Sequence, residues 1–151
     1  MLLFVVAVTL SLLLSFVCSI SEATLLSVGP ARVESAAQEG SRLGKLLQRY
    51  RREPERPIAA ILIVNTISNS GGAALATAQF GVAFPGVSEA WFAAIFVVTV
   101  LAATEIVPKT IGVVHADKLA LPITGVVQVM SVTVWPMLYL TRALARMFAR
   151  A

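Results

Sequence analysis

The residues able to do chemistry in this chain are few, and they sit inside long apolar tracts. Ser11, Ser15, Cys18/Ser19 and Glu22 follow an i, i+4, i+7, i+11 rhythm, which is one face of a helix. Asn65, Ser68, Asn69 and Gly72 form a second such face, and Glu105 stands alone in a third apolar tract. Counted from the inner helix ends at the α-helical rise, Ser19, Asn69 and Glu105 lie at depths of about 13, 16 and 13 Å. Three helices would thus bring hydroxyl, amide and carboxylate oxygens to one level. These are hard ligands without a Cys/His cluster, which disfavours zinc and copper. One or two carboxylates among neutral oxygens in a compact cage suit magnesium better than the larger calcium cage. A sodium site would present the same oxygens, and spacing does not separate the two.

Packing competes with ligation at most of these positions. Ser68-x-x-x-Gly72-x-x-x-Ala76 is a small-residue stripe of the kind that lets spanning helices approach closely, and serine or asparagine in a span often bonds helix to helix. For single serines packing is the default reading, whereas the Asn65/Asn69 pair reads either way. Glu105 differs, because an acid at the centre of a span costs roughly 2.5–3.5 kcal/mol on insertion scales and so marks function by default. Glu22 stands nearer the surface, and His115 reads as a loop residue.

The elements that position these groups follow from composition. Of the 151 residues, 58% are hydrophobic and only 13% charged, about half the charge of a soluble domain. Met1–Ser21, Pro57–Ser88 and Leu119–Thr141 carry no charge apart from what bounds them, and a tract through Ala90–Thr104 reaches spanning length if Glu105 is admitted. The first tract lacks a basic n-region and an A-x-A site, so it reads as a retained helix over about 1–28 rather than a cleaved leader. Gly29-Pro30 ends it. Seven of the twelve basic residues then fall in Ala31–Arg56. Apolar residues recur there at helical spacing, predicting an amphipathic helix on the membrane surface, with a solvated helical linker as the alternative. Either reading places the segment in the cytoplasm. The basic run lacks interleaved aromatics, which excludes nucleic acid as a partner.

A second helix is expected over about 58–80, an external loop after it, and a third helix over about 91–114 with Trp91 as interfacial anchor. The connector with Lys109, His115, Asp117 and Lys118 leans basic, which puts the N-terminus outside. The last apolar segment, about 119–141, contains Pro122, Gly125 and Pro136. As a fourth span it would leave Arg142, Arg146 and Arg150 outside, against the charge rule, so a re-entrant or interfacial segment is favoured. The fold class expected is an all-α integral membrane protein of three crossing helices, a basic juxtamembrane helix and a proline-broken apolar tail, forming one domain over 1–151.

Three motifs resemble the transmembrane domain of the CNNM (cyclin M)/CorC magnesium-transporter family. They are Ser19-Ile20-Ser21-Glu22-Ala23-Thr24-Leu25, Ile61-Leu62-Ile63-Val64-Asn65-Thr66-Ile67-Ser68-Asn69, and Glu105-Ile106-Val107-Pro108-Lys109. The resemblance implies a homodimer in the lipid bilayer, with magnesium held by Ser19, Ser21, Asn65, Asn69 and Glu105, and with Pro108-Lys109 breaking the third helix. It also implies magnesium export, coupled to sodium entry. Ile20 and Thr66 depart from the family pattern, which has glycine in the serine motif and adjacent asparagines in the second helix. Family members continue into cytoplasmic CBS-pair domains that this sequence does not include, so it reads as a stand-alone version, a fragment, or a subunit regulated by a CBS-pair protein in trans. A non-transporting scaffold or regulatory subunit of the same fold is the alternative function. No Ser/His/Asp set and no H-E-x-x-H motif is present, so an enzyme is not expected.

Overall fold

A computed structural model describes residues 2–140 of the chain. Among them there is no strand, and three helices are long and apolar enough to cross a membrane: Leu2–Ser27, Glu55–Ala83 and Glu89–Val114. We label these α1, α4 and α5. Between the first two lie α2 (Pro30–Gln38) and α3 (Arg42–Arg52), and α6 (Ala116–Thr133) follows the third. The chain is an integral membrane protein on this architecture.

Helix α1 runs unbroken because nothing in it opposes the ladder until Gly29, which is extended (φ −67°, ψ 145°), and Pro30, which opens α2 at a position where its missing N–H costs nothing. The basic segment is amphipathic and helical, in two pieces rather than one. Gly40 takes φ +75°, a conformation costly for any residue with a Cβ, and Ser41 then caps α3 by accepting from the Gly44 N–H at 2.9 Å. Gly44 lets the two pieces close on each other, since a Cβ there would run into the Ala36 carbonyl. The apolar stripe of this hairpin, including Val33, Ala36, Leu47 and Tyr50, is buried in the same cluster as Leu25, Val28, Ile123 and Val127. The hairpin therefore turns its apolar face to the C-terminal end of α1 and to α6.

Helix α6 buries Ala116, Ala120, Ile123, Thr124, Val127, Met130 and Ser131, one stripe at helical spacing, against α1, α3 and α4. Pro122 lies inside this helix without ending it, and residues 135–140 are helical again after a turn at Val134. The apolar tail is thus a helix laid along the bundle and is not one of the three candidate spans. Thr141 and the expected inner arginines Arg142, Arg146 and Arg150 lie outside the described residues.

At the other end of the bundle Phe4, Phe80, Phe84, Phe92 and Phe96 interlock. Phe80 and Phe92 stack with centroids 4.4 Å apart and planes 9° from parallel, and Phe4 meets both within 6.0 Å. This ties α1, α4 and α5 together where no polar contact does so. The outward faces of the three spans remain apolar and exposed, as a hydrocarbon solvent requires.

Candidate metal site

Both α4 and α5 contain a wide π-helical stretch, Ile67–Gly71 in α4 and Val100–Ile106 in α5. Such segments collect at functional sites. Each carries a candidate ligand: Asn69 lies in the first and Glu105 in the second. The second has a local cause in Pro108, which has no N–H for the Thr104 carbonyl and whose ring would crowd it. The helix widens over Val100–Ile106 and continues to Val114, so Pro108 re-forms α5 instead of breaking it.

The polar side chains converge from three helices. Ser15 Oγ on α1 donates to Asn65 Oδ1 on α4 at 3.0 Å and lies 2.9 Å from Thr104 Oγ1 on α5. Asn69 Nδ2 reaches the same Asn65 oxygen at 3.5 Å, while Thr104 Oγ1 donates to the Val100 carbonyl at 2.7 Å. Two hydroxyl protons therefore face three contacts, and Asn65 Oδ1 already accepts twice. The layer is rich in acceptors and short of donors.

Ser19, one turn from Ser15 on the same face, is 1% exposed. Its Oγ and the Oδ1 of Asn69 are buried without any hydrogen-bond partner. An unfilled buried polar group costs about 1–3 kcal/mol, and two of them beside a donor-poor layer are open to a water or a cation. Glu105 is half-buried. It shares with Asn69 a pocket of about 210 Å³ whose other walls are Ala73, Phe96, Val97, Val100 and Leu101. Its carboxylate makes no hydrogen bond or ion pair among the described residues, and no group of three or more His, Cys, Asp or Glu is present there. The donor set is neutral oxygen plus one carboxylate, which fits a hard cation.

Ser21 is set apart from this group. It lies two residues, about 200° of helix, from Ser19, and its hydroxyl is used on the Val17 carbonyl at 2.6 Å. Lys109 Nζ meets Glu22 Oε2 at 3.1 Å, linking α5 to α1 one turn beyond Glu105. Just beyond, Thr24 Oγ1 faces the Gly112 carbonyl at 3.5 Å.

The stripe Ser68, Gly72, Ala76 faces α1 of the same chain. Ser68 and Ser11 bond reciprocally, each hydroxyl donating to the other's carbonyl at 3.0 and 2.9 Å. A Cβ on Gly72 would enter the Ser11 side chain, and Ala76 is fully buried. Ser15 and Thr104 are the layer's members that sequence reasoning did not single out as ligands. Ser15 shared a face with Ser19, and Thr104 adjoins Glu105, but only the bundle shows that they touch. Ser131 Oγ on α6 is a further buried oxygen without a partner, and no spacing signal marks it.

Residues 5–151 match the family described as the cyclin M transmembrane N-terminal domain, CNNM. The chain is 33% identical over 148 residues to the UPF0053 protein sll1254 of Synechocystis, covering 95% of this chain and 42% of that protein. It is 31% identical over 134 residues to the UPF0053 inner membrane protein YfjD of Escherichia coli, covering 86% of this chain and 30% of that one. The chain thus spans less than half the length of these curated relatives.

Proposed function

The chain belongs to the CNNM/CorC family of membrane proteins, and from that premise we infer that it transports a divalent cation, magnesium, through the layer between α1, α4 and α5. One observation carries the reading. Two buried oxygens, Ser19 Oγ and Asn69 Oδ1, have no hydrogen-bond partner among the described residues, and Glu105, which lines one pocket with Asn69, has no ion-pair partner among them. Ser15 and Asn65 complete the neutral oxygens. A dication is the ligand that answers both the missing donors and the uncompensated charge.

The reading extends to direction and assembly. Transport is export, with the basic segment 31–56 in the cytoplasm and the N-terminus outside. Moving two charges outward against 100 mV, inside negative, costs about 4.6 kcal/mol, so a coupling ion such as sodium is required. The Glu105 pocket is walled by residues of α4 and α5 alone, and a carboxylate at such a position is poorly suited to lipid. A second copy of the chain would cover it in a homodimer.

The test is magnesium-dependent protection of purified protein against heat, compared in wild type and Glu105→Gln. The substitution keeps size and one oxygen and removes the charge. Wild type should gain stability with magnesium and the variant should not. Equal protection would make Glu105 a structural acid and remove the main support for transport. Magnesium flux into proteoliposomes, with and without a sodium gradient, then tests direction and coupling.

A further inference from the structure

The geometry points to a second site, unrelated to the cation layer: a pocket on the basic side of the bundle that holds the phosphate of an anionic phospholipid. The pocket, about 210 Å³, lies where the end of α3, the start of α4 and the middle of α6 meet, and Arg49, Tyr50, Glu53, Arg56 and Gln128 line it together with Leu46.

Its polar groups are arranged as donors. Tyr50 is 5% exposed, and its hydroxyl donates to Gln128 Oε1 at 2.6 Å. The acceptor end of that amide is thereby occupied, which leaves Gln128 its Nε2 donors. Arg56, in the first turn of α4, has no hydrogen-bond or ion-pair partner among the described residues. Arg49 meets Glu53 only at 4.0 Å, both side chains being more than half exposed, and a pair of that kind holds an arginine weakly. Two guanidinium groups against one carboxylate leave the pocket net positive. Planar guanidinium donors match phosphate oxygens in pairs.

The pocket's surroundings favour a lipid over a free phosphate. Arg56 stands at the beginning of a membrane span, so the pocket lies at the edge of the hydrocarbon. From Gln128 an exposed face continues along the tail through Val132, Trp135 and Tyr139 at i+4, i+7 and i+11. Trp135 and Tyr139 pack with centroids 6.4 Å apart, as aromatic residues do at a membrane interface. A headgroup in the pocket would lay its acyl chains on this face. Basic pockets of this kind on the cytoplasmic side recognise anionic headgroups.

The experiment uses the full chain in detergent, titrated with phosphatidylglycerol or phosphatidylcholine and read by native mass spectrometry. Wild type should retain phosphatidylglycerol in preference to phosphatidylcholine. Arg49→Gln/Arg56→Gln should bind phosphatidylglycerol about thirtyfold more weakly, the factor for two arginines near an anionic surface. Arg51→Gln/Arg52→Gln removes the same charge outside the pocket and should change retention less than about threefold. Gln128→Leu leaves charge intact and should cost about fivefold, the worth of one hydrogen bond. If the two arginine pairs act alike, or if neither Gln128→Leu nor Arg49→Gln/Arg56→Gln weakens retention, the site does not exist. Displacement of the lipid by millimolar inorganic phosphate or glycerol phosphate would show a free-phosphate site and overturn the lipid assignment.

Discussion

Gly112→Ala probes a close approach of α5 to the backbone of α1. A Cβ at Gly112 would lie 2.8 Å from Ala23 Cβ, 2.8 Å from the Ile20 carbonyl oxygen and 3.2 Å from the Thr24 nitrogen. Two of these neighbours are backbone of α1, which cannot rotate aside. Ordinary contact begins at 3.4 Å, so α1 and α5 must separate by 0.6 Å at this level (3.4 less 2.8). Thr24 Oγ1 and the Gly112 carbonyl, already 3.5 Å apart, would lose their contact. Overpacking of this kind costs about 1–3 kcal/mol, partly offset by up to about 1 kcal/mol of helix propensity gained by alanine. Gly71→Ala controls for that gain, because nothing lies within 4 Å of a Cβ there. The comparison is the unfolding midpoint of each variant in mixed micelles of rising dodecyl sulfate content, followed by helical circular dichroism. Gly112→Ala should fall below Gly71→Ala by about 1–3 kcal/mol. Coincident midpoints would mean that α1 and α5 are not held at this distance.

Asn69→Ala should weaken magnesium-dependent protection less than Glu105→Gln, since a neutral oxygen is lost and the charge balance stays; an equal or larger loss would transfer the main role to the amide. Gly72→Leu should abolish folding rather than merely split a dimer, because its side chain enters Ser11 of the same chain; gel filtration with circular dichroism separates the two outcomes. A double-mutant cycle on Glu22→Gln and Lys109→Gln should give a coupling of about 0.2–1 kcal/mol, the range for an exposed pair, and zero coupling would remove the ion pair from what joins α1 and α5. Cysteines at Gln38 and Ala149 should react with an impermeant reagent from the same side, and labelling from opposite sides would establish a fourth crossing.

The spans were legible because spanning a bilayer demands uncharged length, and that demand is written in composition. Glu105 was legible for the same reason inverted: a carboxylate is conspicuous where charge is expensive. What escaped depends on local backbone choices that periodicity averages away. Counting at 3.6 residues per turn passes over Ile67–Gly71 and Val100–Ile106, and so over the widened turns that carry Asn69 and Glu105. Gly40 divides the basic segment, but its positive φ is a property of the closed hairpin. Pro122 looked like a break and is accommodated inside α6. Ser21 belonged to the right motif and stands on the other side of α1, as its spacing of two from Ser19 already required.

The wide turns also bear on how such a chain tolerates changes in length. A π-helical turn holds one residue more than an α-helical turn, which makes it an insertion that the helix has absorbed instead of expelling as a loop. A loop cannot be expelled at membrane depth, where no water is available for its peptide groups. Loss of one residue from Ile67–Gly71 or Val100–Ile106 would return the stretch to ordinary winding with the two halves of the span close to their present bearing, whereas loss of one residue elsewhere in the span would turn one half by about 100° against the other. In that second case the helix would survive while the side chains beyond the deletion faced elsewhere. In this bundle, a gain or loss of one residue outside the wide turns of the second or third span therefore acts as a change of bearing rather than of reach.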